Sequence, residues 1–420
     1  MFLFLVSCTP DALPANSPTP YRSAFTVGPA PASTATGEIK PEKVQSPSLA
    51  VMTQTALTST ATATAAPLPA SSGPDEDDFP PGINPLSGLE VKDLSSLDLP
   101  PVFVSISNSP VTTRPQSGLS FSPLVFEIYI GEGVTRFLAA FYGDLPPVVG
   151  ADGDPVKIGP IRSGRLPYER LRQQYKGLLV FASASDRVLG ELDEYKIVFG
   201  NTEIDVNQAR ITVDELRAFA QQERPRLGTP RLYGLHFDAA LPAGAKPAES
   251  IWVTFHPTDQ VFWDYHTGVG AYVRTQDNAD GKTFSRQVDK ITGELLAFEN
   301  VVVMFAPYHF ADRTFFNIDL QYITRLPALL FRDGTVQEIF WTTGNEAYER
   351  QTGRMRPIRW VDRAGIPVAL KPGKTWVEVV TQGSGTWETV ASTDYIELLR
   401  GKQPGSRRWA VYFQPPVIEE

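Results

Sequence analysis

All seven tryptophans of this chain lie between Trp252 and Trp409, whereas thirteen of its 37 prolines crowd into residues 10–81. That partition decides where a fold can form. Residues 10–81 are dominated by Ala, Ser, Thr and Pro, and their only aromatics before Asp78 are Tyr21 and Phe25. Such a stretch cannot bury enough apolar surface to offset the entropy of ordering the chain. Residues 9–81 are therefore expected to be a disordered linker, with folding starting near Pro81. What remains, roughly 340 residues, is enough for two ordinary domains.

The net charge of −9 argues against nucleic-acid binding, which needs a basic footprint. Part of the excess is the run Asp75-Glu76-Asp77-Asp78, which reads as the solvated end of the linker. No stretch approaches the roughly 20 apolar residues of a membrane-spanning helix.

Cys8, the only cysteine, follows Met1-Phe2-Leu3-Phe4-Leu5-Val6-Ser7. Leu-Val-Ser-Cys resembles the bacterial lipobox, in which a small residue precedes a cysteine that is lipidated on sulfur. On this reading residues 1–8 are a truncated lipoprotein signal and a lipid on Cys8 is the membrane partner. A secretory signal also has a positively charged start and a longer apolar core. Both are missing, which leaves either a start codon upstream of Met1 or a chance resemblance. A linker of about 70 residues would reach roughly 45 Å from such an anchor. The expected location is extracytoplasmic.

Residues 82–245 alternate strand-like and helix-like patterns and are expected to form an α/β domain. Val102 to Ile106, Leu124 to Ile130 and Arg136 to Tyr142 are rich in β-branched and aromatic residues. Tyr168, Leu171 and Tyr175 recur at helical spacing, and Asp186 to Leu192 suggests a short helix. Thr212 with Glu215 three residues on reads as a helix start. Residues 246–420 read as a mostly β domain, with Asp333-Gly334 marking a hairpin. Trp252, Trp263, Trp341, Trp360 and Trp376 alternate with polar neighbours as core-facing strand residues do. The fold class expected is α+β, with a mixed α/β sheet domain packed on a β-rich one.

Three stretches carry a resemblance: Arg114 to Ser120 with Val125 to Ile128, Glu132 to Phe137, and Ile158 to Arg165. Phe331 to Gly334, Trp341 and Leu370 to Glu378 extend it into the second half. Together these resemble the YerB-like family of bacterial envelope lipoproteins, built on paired domains of unknown function. The resemblance implies location and architecture more than activity. Family members often carry histidines where this chain has Ser109 and Phe181. Histidine is the usual general base near neutral pH, so its absence weakens acid–base chemistry there.

The same block holds the candidate site. Arg114, Arg136, Arg162 and Arg165 stand beside Glu127 and Glu132, where apolar strands meet glycine-rich turns. Arginine binds carboxylates and phosphates through a planar fork of donors. Four in one cleft would suit an anionic ligand such as a pyrophosphate or a wall polymer, with the two glutamates orienting them or holding a metal. The competing reading pairs each glutamate with one arginine to pin turns. No catalytic residue, metal site or cofactor motif is assigned: Asp152-Gly153-Asp154 and Asp277 to Gly281 lack calcium-loop spacing, and His256 and His266 read as strand residues. The leading expectation is a non-enzymatic binding or interaction protein whose partner is an anionic ligand or an envelope protein. The alternative is an envelope enzyme acting on pyrophosphate-linked or wall polymers, loosely similar to the LytR-CpsA-Psr phosphotransferases.

Overall fold

A computed structural model describes residues 74, 78–200, 207–313, 315–344 and 346–415. Cys8, its lipobox and nearly all of the 9–81 linker lie outside the described residues.

In chain order the first half provides β1 (Val102–Ser107), β2 (Leu124–Tyr129), β3 (Thr135–Phe141), α1 (Leu166–Gln174), β4 (Leu178–Phe181), β5 (Tyr195–Ile197) and α2 (Val213–Leu227). The second provides β6 (Ser250–His256), β7 (Asp259–His266), β8 (Ala271–Asp277), β9 (Phe284–Arg286), β10 (Asn300–Ala306), β11 (Tyr308–Phe310) and β12 (Phe316–Ile318). It continues with β13 (Leu326–Arg332), β14 (Thr335–Thr342), β15 (Arg359–Val361), β16 (Thr375–Thr381), β17 (Gly385–Glu388), α3 (Tyr395–Arg400) and β18 (Arg408–Tyr412).

The two halves share one sheet. Its main path runs β15-β14-β13-β10-β16-β2-β3-β1-β4-β5. The join is β2 beside β16, parallel from Leu124↔Thr375 to Ile128↔Val379. Strands β3, β10 and β16 are buried along their whole length, as is β2 up to Tyr129, so they read as near-continuous apolar runs. A second sheet, ordered β9-β8-β7-β6-β18-β17, packs on one face of the first. Trp263 of β7 meets Trp376 of β16 edge-on at 5.3 Å between ring centroids. On the opposite face Tyr175, just past α1, lies edge-on to Phe103 and Phe126. All five tryptophans expected in the core are buried.

Local chemistry explains the ends of these elements. Thr212 Oγ1 accepts from the Glu215 amide while the Glu215 carboxylate accepts from the Thr212 amide, completing the capping box of α2. Asp333 and Gly334 both adopt left-handed φ, at 53° and 68°, and turn β13 into β14. Among the described residues no helix is long and apolar enough to cross a membrane.

Candidate functional site

Strand alternation separates the candidate residues into two groups. In the β2–β3 pair, Glu127 lies opposite Phe137, whereas Arg136 lies opposite Ile128. Successive side chains point to opposite faces. Glu127 therefore faces the second sheet and Arg136 faces α1.

The Glu127 group is a buried ionic network between the sheets. Glu127 Oε2 accepts from Arg274 Nη2 at 2.7 Å and from Trp376 Nε1 at 3.2 Å. Its Oε1 accepts from Thr135 Oγ1 at 2.7 Å, and Thr135 accepts in turn from Asn108 Nδ2 at 2.7 Å. Arg114 joins the edge of the network: Nη1 donates to the Asp277 carbonyl and Nη2 to the Asn108 carbonyl and side chain. The Arg274 guanidinium also packs near the rings of Phe137, Trp263 and Trp376, at 4.9–5.7 Å from their centroids. Glu378 lies beside Glu127 in the β2–β16 register and accepts from Trp263 Nε1 at 2.8 Å.

These groups titrate abnormally for physical reasons. Burial first, and the Glu127 charge second, push the Glu378 carboxyl well above the usual carboxylate range. The same two causes raise Asp259 to about 7, with the guanidiniums of Arg114 and Arg274 opposing the rise. Burial, then the Arg274 charge, lowers Arg114 to about 10. Arg274, Glu378 and Asp259 were not among the expected site residues. A signal existed for Glu378, since a lone carboxylate inside Trp376-Val377-Glu378-Val379-Val380 needs a buried partner.

The second group is cationic. Arg136 opens β3, Arg162 lies in the segment running between the ends of β1 and β4, and Arg165 caps the start of α1. Arg136 Nη1 donates to the Ser163 carbonyl at 3.0 Å. Arg162 donates from Nε to Ser107 Oγ at 3.1 Å and from Nη2 to Asn207 Oδ1 at 2.8 Å. Arg165 Nη1 donates to the Gly164 carbonyl at 3.0 Å, and its Nε has no partner. Burial, together with the neighbouring Arg165 and Arg162 and against the opposing effect of Tyr168, lowers Arg136 to about 10. The buried Tyr168 hydroxyl stands against this guanidinium and favours its charged form. Among the described residues neither Arg136 nor Arg165 has a carboxylate ion pair.

The six candidates thus do not form one cleft. Arg136, Arg162 and Arg165 converge; Arg114 and Glu127 belong to the network on the other face. Glu132 is exposed at a turn between the buried glycines Gly131 and Gly133, in left-handed conformation at φ 52°. That turn packs closely on the second sheet, where a Cβ on Gly133 would come within 2.8 Å of the His256 ring. Glu132 makes no ion pair among the described residues, and Glu127 pairs with Arg274 rather than with an arginine of its own segment.

Comparison with known proteins places this geometry in a family. Residues 86–222 match the domain described as "Protein of unknown function (DUF3048) N-terminal domain", and residues 251–377 match its C-terminal counterpart. The chain belongs to the DUF3048 family. Within it, the chain is 28% identical over 320 residues to "Putative lipoprotein YerB" of Bacillus subtilis (strain 168), covering 70% of this chain and 85% of that protein. The crystal structure of the B. subtilis YerB protein superposes with a TM-score of 0.55 over 71% of this chain and 96% of that one. At 24% identity that likeness carries the DUF3048 fold and nothing finer. The YerB-like resemblance read from the arginine–glycine block is met.

Proposed function

We propose that this protein is a membrane-tethered, extracytoplasmic binding protein that holds an anionic ligand at Arg136, Arg162 and Arg165. The observation that carries the reading is the convergence of two guanidiniums, Arg162 and Arg165, on the buried one of Arg136. Like charges gathered at low dielectric oppose folding. The first turn of α1, at Arg165, adds the positive end of a helix dipole, where a cation is unfavourable and an anion welcome. These residues also lie at the carboxyl ends of the mutually parallel strands β1 and β4, where open sheets with helices commonly bind ligands.

Tethering rests on two supports: the lipobox resemblance at Cys8 and the printed name of the B. subtilis relative. The enzyme alternative has no specific observation in its favour. The carboxylates it would use stand apart from the three arginines, Glu127 on the opposite face and Glu132 exposed at the turn between β2 and β3.

The test is titration with inorganic pyrophosphate, followed by calorimetry. Saturable binding is expected for the wild-type chain and loss of it for Arg136→Ala/Arg162→Ala, with folding checked by circular dichroism. Unchanged binding by the folded double variant would exclude the arginine site. Mass spectrometry that finds no lipid on Cys8 in the processed protein would exclude the tether.

A further inference from the structure

The outer face of the second sheet carries a cavity of ≈ 540 Å³, on the side of the sheet away from the Glu127–Arg274 pair. Register alone explains its chemistry. On the central strand β6, Ser250 has Asp264 of β7 as its neighbour on one side and Arg408 of β18 on the other. Two residues along, Trp252 has Phe262 on one side and Ala410 on the other. A polar row therefore lies beside an apolar, largely aromatic one, and Phe284 of β9 stands edge-on to Phe262 at 5.1 Å as a wall.

Asp264 and Arg408 carry opposite charges, yet they do not meet. Two strand spacings, roughly 9.6 Å, separate their backbones. Among the described residues neither side chain has a hydrogen bond or ion pair, and the Ser250 hydroxyl between them has none either. The neighbouring Trp252 is buried, its indole N–H satisfied by Gln260 Oε1 at 3.0 Å and its ring edge-on to Tyr395 of α3, so it floors the cavity rather than lining it.

We infer that this cavity binds a zwitterionic α-amino acid with an apolar side chain. The ligand's ammonium meets Asp264, its carboxylate meets Arg408, and its side chain lies along Phe262 and Phe284. An α-ammonium and α-carboxylate on one carbon offer a donor and an acceptor of opposite charge side by side, the combination that Asp264 and Arg408, flanking Ser250 on one face of the sheet, can engage together. Phe262 and Phe284, both half-buried, supply the apolar surface that the ligand's side chain needs. Neither a simple anion nor a purely apolar group would use both charges.

The probes are L-phenylalanine, L-phenylalanine amide and N-acetyl-L-phenylalanine, titrated into the full chain by calorimetry. Wild type should bind phenylalanine saturably and each blocked compound about tenfold or more weakly. Asp264→Asn should weaken phenylalanine while leaving the N-acetyl compound unchanged, because that compound has no ammonium to lose. Arg408→Met should weaken phenylalanine while leaving the amide unchanged. Absence of phenylalanine binding, or equal binding of all three compounds, overturns the inference. Both variants alter side chains without partners, so an unchanged circular dichroism spectrum is expected. Pyrophosphate capture at the arginines should be unaffected by either, which keeps the two sites separable.

Discussion

Glu127 Oε2 accepts its 2.7 Å hydrogen bond from Arg274 Nη2 across 147 residues of sequence, with both side chains withdrawn from solvent. The contact joins β2 to β8, and so the shared sheet to the second one. A buried pair of this kind is weak evidence of net stabilisation, because desolvation offsets attraction. What it does enforce is correct docking, since a misdocked second sheet would leave Glu127 charged and unpaired. Arg274→Met should therefore cost about 3–5 kcal/mol, read from urea denaturation. Adding Glu127→Gln should restore much of that loss, and a double-mutant cycle would measure the coupling. Additive losses would mean that the two residues act independently.

The same network sets a pH dependence with a definite sign. Asp259 is raised to about 7 in the folded protein, and Glu378 is raised well above its ordinary value. Between the unfolded value of a carboxyl, near pH 4, and the folded one, the native state holds more protons than the unfolded state. The stability these groups contribute is fully present below about pH 4 and is lost as pH rises towards 7. Asp259→Asn should flatten that fall in denaturation midpoints measured from pH 4 to pH 8. A variant with the wild-type slope would refute the assignment.

How far the sequence reveals this arrangement depends on parity. The strands around Val104, Phe126 and Val377 were legible because burial on both faces makes them apolar throughout. The capping box at Thr212 and the turn at Asp333-Gly334 were legible because their chemistry is local. The grouping of Glu127 with Arg136 failed at a turn. Five residues separate β2 from β3, and the register they impose pairs Arg136 with Ile128, placing it on the face away from Glu127. One residue more or less would have reversed that. Arg274 was invisible as Glu127's partner because only the docking of two sheets brings them together. The shared sheet itself depends on β2 pairing with β16 across most of the folded chain.

Arg136 offers a test in which binding and stability move in opposite directions. Its guanidinium is buried, has Arg162 and Arg165 as neighbours, and donates to the Ser163 carbonyl. Arg136→Met keeps much of the side-chain volume and removes the like-charge repulsion. Thermal unfolding should show the variant at least as stable as wild type, while 10 mM-scale pyrophosphate should raise the midpoint of the wild type alone. A strongly destabilised Arg136→Met would identify this arginine as a structural tie rather than a ligand group.

The start of α2 gives a local prediction independent of any ligand. Thr212 and Glu215 satisfy each other's backbone amides, and Thr212 Oγ1 also donates to Glu215 Oε2 at 2.8 Å. The Thr212 hydroxyl thus occupies the end of a helix that buries Val213, Leu216, Phe219 and Ala220. Thr212→Ala orphans the Glu215 amide and should cost about 1 kcal/mol in denaturant unfolding. Thr212→Ser keeps the acceptor and should recover most of that loss. Equal losses for both variants would show that the methyl group, not the cap, holds the helix start in place.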